Sequence, residues 1–299
     1  MRTGFHTNSF AWAGVNDIEK IAAFAADTGF DFLEVGPGIP LDKAAFSRAG
    51  KHVGFDAFIY CRNFIDDDGS VAAQERGELY RRMRFAAEVG AKRFICSTGI
   101  SRERSLPASG GCNPVLSLDR AVDFLKEAVS VATECGLELC LENCPMYRNI
   151  ATSPLMWRKL FEALDPLPVG ICYDASHFVW QMIDVYRPIS EFGSRIAHVH
   201  MKDTALFRSK LEDVGILHNT ATERGFEENQ WWRHTVIGDG EIDWARFLAM
   251  LHALPGGLPA LSFEMEDYQY ECRPDKVREG LRLQYQRLKK LEQEFTAKA

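Results

Sequence analysis

The sequence predicts a single-domain (β/α)8 barrel, the TIM-barrel architecture, across residues 1–299. Three observations carry that prediction. Strand-like apolar runs alternate with amphipathic helical stretches about eight times, at a rough period of 30 to 40 residues. Four of these runs, in residues 137–143, 169–175, 196–203 and 259–266, end on reactive side chains: Glu142; Asp174; His198, His200 and Lys202; Glu264 and Glu266. A parallel barrel collects its chemistry at the C-terminal ends of its strands, whereas the rival open doubly wound sheet collects it at a switch point. The 46% hydrophobic share of 299 residues also supplies one barrel-sized core, since such barrels run to about 250 residues.

The elements follow in order. A short first strand runs to about Phe10, and residues 16–28 form a helix with Asp17 or Asn16 as cap, Ile18, Ile21, Ala22 and Ala25 at helical spacing, and Gly29 as stop. Residues 30–35 form a strand that carries Glu34 near its end. A helix at 41–49, a strand at 53–60, a long helix at 71–89 and a strand at 92–96 come next. A loop over 99–114 leads to Ser117, a good N-cap residue, and a helix to about Cys135. Then come a strand at 137–142, a helix at 154–164, a strand at 169–174, a helix within 180–192, the His200 strand, a helix at 243–254, a strand at 258–264 and a last helix from Pro274 to about Phe295. Residues 204–235 read as the one sizeable irregular stretch. A connection of that length in a compact domain is usually a lid or a binding loop, and Trp231, Trp232 and Arg233 within it suit covering a substrate.

Composition excludes several function classes. A net charge of −7 argues against nucleic-acid or anionic-membrane partners and leaves small polar substrates. The 8 cysteines contain no CxxC pair, and several lie inside apolar strand patterns, as buried thiols in a reducing compartment do. With no signal-peptide pattern and no apolar run near the roughly 20 residues of a membrane span, a cytoplasmic location is expected.

Each reactive residue also has a bland reading. Glu142 alone is equally a strand-end carboxylate that caps a helix, Asp174 an Asx turn, and Lys202 a partner for Asp203 or a neighbouring strand. Together they read differently, because four separate strand ends each offer a hard oxygen or imidazole ligand for one divalent cation. His200, later in its strand than His198, lies nearer the open face of a barrel, so it is the ligand and His198 an interior histidine. Glu264, nearer the apolar run, is preferred over Glu266. The expected metal set is therefore Glu142, Asp174, His200 and Glu264. Carboxylates and imidazole without thiolate favour Mn²⁺, with Mg²⁺ and Co²⁺ beside it and Zn²⁺ still open. The Gly238-Asp239-Gly240 turn lacks the context of a dinucleotide site and reads as a tight turn into a capped helix.

The set Leu141-Glu142-Asn143, Asp174-x-x-His177, His198-x-His200-x-Lys202-Asp203, Gly238-x-Gly240-x-Ile242-Asp243-Trp244 and Glu264-x-Glu266-Asp267 resembles the sugar phosphate isomerase/epimerase family of xylose isomerase-like barrels. The resemblance covers nearly the whole chain, from Phe5 to the last helix, and it is specific for superfamily rather than substrate. It implies one divalent metal on Glu142, Asp174, His200 and Glu264, with Glu142 and Glu264 also acting as acid and base on a bound sugar. His177 matches a histidine near the substrate. The arginine that follows the metal histidine in ketose 3-epimerases has no match here, where Leu206 stands with Arg208 nearby. The implied activity is isomerisation or epimerisation of a keto-sugar or related polyol, by proton abstraction α to a carbonyl through an enediolate. The alternative is a lyase or dehydratase that eliminates a β-substituent from a 3-keto-glycoside or inosose, with Lys202 and His177 as proton donors. Expected substrate contacts are His177, Lys202, Arg233 and Trp231. Two remoter readings are an apurinic-site endonuclease, which the acidic charge disfavours, and a non-catalytic subunit of a heteromer. Dimers and tetramers are usual in that family, so the resemblance implies a homo-oligomer.

Overall fold

Eight parallel strands close into a barrel in a computed structural model that describes residues 1–101, 114–145, 149–216 and 230–296. They are β1 (Thr3–His6), β2 (Phe32–Val35), β3 (Gly54–Tyr60), β4 (Arg93–Cys96), β5 (Glu138–Glu142), β6 (Val169–Asp174), β7 (Ile196–Met201) and β10 (Ala260–Phe263). Neighbours in sequence are neighbours in space, and closure comes where β1 pairs with β10. Parallel pairing demands a crossover between strands, which the helices supply on the outer face. Helix α2 (Ile18–Thr28) is typical. The Asp17 carboxylate accepts from the Glu19 and Lys20 amides, Gly29 ends the helix in left-handed conformation (φ 96°), and Ile18, Ile21, Ala22, Phe24 and Ala25 face the sheet.

Between sheet and helices lies a large apolar core that includes Phe5, Phe58, Phe94, Trp157 and Tyr173. Inside the barrel, Ala57, Ile59, Cys61, Ile95, Cys140 and Cys172 pack as a small separate cluster. These side chains are small or soft, which leaves interior room for buried Glu34, Asp56, His198 and His200. The described cysteines are all free thiols, five of them buried, while Cys272 is exposed. Among the described residues no helix is long and apolar enough to cross a membrane.

Three expectations are corrected. The first strand ends at His6, and the chain turns at once into the short helix α1 (Asn8–Trp12) instead of extending to Phe10. The helix expected within 180–192 is present as Arg187–Phe192, and a further short helix, Ser176–Trp180, precedes it, the two separated where Met182 takes a positive φ and the Asp184 carboxylate caps the Tyr186 and Arg187 amides. Ser117 does not cap its helix, because its hydroxyl accepts from the Ser101 amide at 3.0 Å. Finally, residues 204–235 are not structureless.

In that stretch, β8 (Asp203–Leu206) pairs antiparallel with β9 (Trp232–Thr235), and a short helix, Arg208–Val214, follows β8. Residues 217–229, and 102–113 of the other long loop, lie outside the described residues. The two-stranded arm is rooted by Asp203, which is fully buried. One of its oxygens accepts from the Thr204 and Ile242 amides and the other from the Gly238 amide and the Trp244 indole, at 2.8 to 3.2 Å. Gly240 is required there because a Cβ would collide with the Asp203 carboxylate. The glycine turn is thus a cradle for an anion, and it leads, as the sequence suggests, into a helix at Trp244–His252 capped by Asp243.

Candidate metal centre

Each candidate side chain owes its place to strand register. Glu142 and Asp174 are the last residues of β5 and β6, and Glu264 follows the end of β10. His200 is level with Asp174 on one neighbour and Ser262 on the other. All four therefore rise into the same mouth of the barrel, where His200 and Asp174 are fully buried and Glu142 and Glu264 only 3% and 7% exposed.

In each of these groups one polar atom is held by the protein and the other is aimed at a common centre. For Asp174, Oδ1 accepts from the Ser176 amide (2.9 Å) and hydroxyl (2.6 Å), while Oδ2 is buried and turned inward, 3.1 Å from the Lys202 ammonium. For Glu264, Oε1 meets His6 Nδ1 at 3.2 Å, and Oε2 turns inward, where it accepts from the Lys202 ammonium. The Cys61 thiol donates to Glu142 Oε2 at 3.4 Å. His200 Nε2 is paired with Glu34 at 3.0 Å, which turns Nδ1 toward the carboxylates. That Nδ1 lies 3.0 Å from Glu142 Oε1, 3.6 Å from Glu264 Oε2 and 4.0 Å from Asp174 Oδ2.

Three buried carboxylates this close repel one another unless a cation intervenes. Lys202 supplies part of the compensation, with Nζ 2.5 Å from Glu264, 2.6 Å from Glu266 and 3.1 Å from Asp174. It does not pair with the adjacent Asp203 but with carboxylates at the ends of the neighbouring strands, the other half of the bland reading of its role. Burial would lower the Lys202 pKa, but Asp174, Glu264 and Glu266 hold it well above its ordinary value. Glu264 stays well below the usual carboxylate range, because Lys202 and His200 outweigh its burial. The inward-turned oxygens and the hard donor set fit a divalent cation. Glu142, Asp174, Glu264 and His177 also present ligand atoms within 4.8 Å of one another. His200 is the better fourth ligand than His177, since Glu34 orients its free nitrogen, whereas His177 Nε2 lies 3.4 Å from Asp174 and 3.5 Å from Lys202.

Residues 22–288 match the family model of the xylose isomerase-like TIM barrel. The chain belongs to that family. Within the xylose isomerase-like barrels it is similar to an inosose dehydratase of Geobacillus thermodenitrificans, 28% identical over 250 residues that span 79% of this chain and 78% of that protein. The structure of AsbF from Bacillus anthracis, a probable 3-DHS dehydratase, superposes with a TM-score of 0.73 at 12% identity, covering 97% of this chain and 99% of AsbF. An L-ribulose 3-epimerase superposes with a TM-score of 0.66 at 18% identity, covering 94% and 86%. Epimerases and dehydratases thus share this xylose isomerase-like fold.

Three residues of the centre carry no functional reading in the sequence. Glu34 bridges His198 Nε2 (2.7 Å) and His200 Nε2, and the charges of His200 and His6 and the His198 bond hold it well below the usual carboxylate range against its burial. Its signal is present in Phe32-Leu33-Glu34-Val35, which has the same strand-end carboxylate grammar as Glu142. His6 stacks parallel to His200, with ring centroids 6.2 Å apart. His234 comes from β9, packs edge-on against His177 at 5.1 Å and has Nε2 3.8 Å from Glu266.

The two-residue strand period explains which arm residues approach the site. Trp232 and His234 share one face, where Trp232 stacks on Trp180 at 4.7 Å. Arg233 points the other way, over Phe207 and Tyr268. Trp231 is buried beside β9, with its carbonyl bonded to the Phe207 amide. Neither Arg233 nor Trp231 lines the cavity among the carboxylates, whereas Lys202, Glu266, His6, Cys61 and Cys144 do. Because Glu34 orients a metal-facing imidazole, Glu34→Gln is expected to lower divalent-metal affinity about 10- to 100-fold. Titration of the metal-free protein with Mn²⁺ reads this, and an unchanged affinity contradicts the assigned role of Glu34.

Proposed function

We propose that this protein is a divalent-metal-dependent isomerase or epimerase that acts on a keto-sugar or related polyol by proton abstraction α to a carbonyl, through an enediolate. The observation that carries the reading is the convergence of one inward atom each from Glu142, Asp174, His200 and Glu264, with Asp174 Oδ2 buried beside the Lys202 ammonium. Mn²⁺ is the proposed ion, since three carboxylates and one imidazole suit a cation of intermediate hardness. When bound, such a cation would polarise the substrate carbonyl and offset the negative charge that develops as the α-proton leaves.

The remaining steps belong to the chain. Glu142 and Glu264 arise from strands separated by β6 and β7, so they reach a bound sugar from different directions. One removes the α-proton and keeps it, and the other, starting protonated, delivers its own proton to the opposite face or the adjacent carbon; each such transfer contributes about 10² to 10⁴ in rate. Lys202 and His177 hold substrate oxygens, and the buried setting of all these groups keeps bulk water from the carbanion.

A second reading, elimination of a β-hydroxyl or aglycone from an inosose or 3-keto-glycoside, is favoured by Lys202. Its ammonium stays protonated among three carboxylates, with His177 3.5 Å away, which places a proton donor where a leaving oxygen needs one. The dehydratase relative supports the same reading.

Keto-sugars and 3-keto-glycosides incubated in D₂O with Mn²⁺ test both. Deuterium in a recovered isomer or epimer supports the first reading, released water or aglycone supports the second, and no exchange with any compound overturns both. Elemental analysis is expected to find about one divalent ion per chain, and chelation to lower the melting temperature, since an ion that binds only the folded state stabilises it. Protein that binds no divalent ion contradicts the proposal.

A further inference from the structure

Beside the metal centre runs a groove of about 510 Å³, lined by Asn8, Ala11, Trp12, Asn16, Pro37 and Arg62 among others. The cavity among the carboxylates is far smaller, about 30 Å³, room for an ion or the reacting end of a molecule. The two adjoin, because Asn8, Pro37 and Arg62 line both. Trp12 stands 46% exposed in the wall of the groove, an unusual cost for so large an apolar side chain.

We propose that this groove is a second subsite, which seats a ring attached to the reacting sugar against the face of Trp12. The inference rests on the reading that the metal centre acts on keto-sugars, and it adds that the substrate extends beyond one ring. The groove is built from α1 and the segments that follow β1, β2 and β3, and each of those strands has at or beside its end a residue that holds the centre: His6 on Glu264, Glu34 on His200, and Cys61, just past β3, on Glu142. A molecule in the groove is therefore in register with the reacting groups. Its shape is also fixed. Gly38 lets the loop after β2 lie against Ala11 of α1, where a Cβ would collide, and the Arg62 guanidinium is held by the Cys61 carbonyl at 2.7 Å and by the Tyr60 ring at 4.7 Å. A preformed concavity within the roughly 300–1,000 Å³ of ligand pockets, with one aromatic face and the amides of Asn8 and Asn16 at hand, suits a ring that has an apolar face and a polar edge.

Methyl β-glucoside and p-nitrophenyl β-glucoside probe the groove without turnover, since neither carries a carbonyl. Calorimetric titration of the Mn²⁺-loaded protein is expected to show the aryl glucoside binding about tenfold more tightly, the scale of one aromatic stacking contact. Trp12→Ala is expected to abolish that preference while leaving methyl glucoside affinity within about twofold, and Trp12→Phe to retain most of it. Equal affinities in the unaltered protein, or a Trp12→Ala loss shared by both ligands, overturn the subsite. Failure of proton exchange with keto-sugars would instead overturn the proposed reaction, and the affinity ratio would still report on the groove.

Discussion

Glu142→Gln is expected to leave the barrel folded and to reduce α-proton exchange by a factor of about 10² to 10⁴, the usual worth of a positioned proton-transfer group. The substitution keeps the shape of the side chain and one oxygen acceptor, so loss of activity follows from loss of the charge and of the proton-accepting oxygen. Stability should move the other way. Glu142 is one of three carboxylates whose inward oxygens lie within 4.0 Å of the same His200 nitrogen. Removing one negative charge from that cluster relieves repulsion in the metal-free protein, and its melting temperature should hold or rise. Exchange in D₂O and thermal unfolding of the metal-free variant give the two readings. A variant that exchanges protons at the unaltered rate would remove Glu142 from the mechanism.

The largest effect on stability is expected at Asp203, which touches no substrate. Asp203→Ala strands the Thr204, Gly238 and Ile242 amides and the Trp244 indole, all of which now donate to its two oxygens. Buried donors left unpaired cost about 1–3 kcal/mol each, and partial access of water to the cut site brings a total of about 3–5 kcal/mol. For a chain of this length that corresponds to a fall in melting temperature of about 5–8 °C. Asp203→Asn keeps an oxygen that can serve two of the donors and should lose roughly half as much. Calorimetry on the two variants distinguishes them, and a loss under about 1 kcal/mol for the alanine variant would show that the arm is rooted elsewhere.

Much of the architecture is written in local patterns. The strands at Glu142, Asp174 and His200 are legible because a short apolar run that ends on one reactive group is a local signal, and the barrel follows from its repetition. The preference for His200 over His198 rests on height in the strand, and the structure places His200 among the carboxylates while His198 lies below, on Glu34 and Asp56. The arm was not legible. Its strands are only four residues each and pair across some 25 intervening residues, so neither shows a periodic signal long enough to stand out, and the sequence reads as a loop in which Trp231 and Arg233 look as available as His234. His6 was hidden for a related reason. A lone histidine at the end of a first strand acquires meaning only when barrel closure brings β10 beside it.

The rooting of the arm has a consequence for how such a chain can diversify. β7 supplies His200 and is followed at once by Lys202 and then Asp203, so the carboxylate that clamps the arm sits three residues from the imidazole it must not disturb. With both strands of the arm tied down at their base, the segment between Leu206 and Trp232 can be lengthened, shortened or traded for another while the residues that do the chemistry stay put, since each doubling of a loop costs only about 0.6 kcal/mol. New specificities can arise there by insertion and deletion rather than by alteration of the reacting groups.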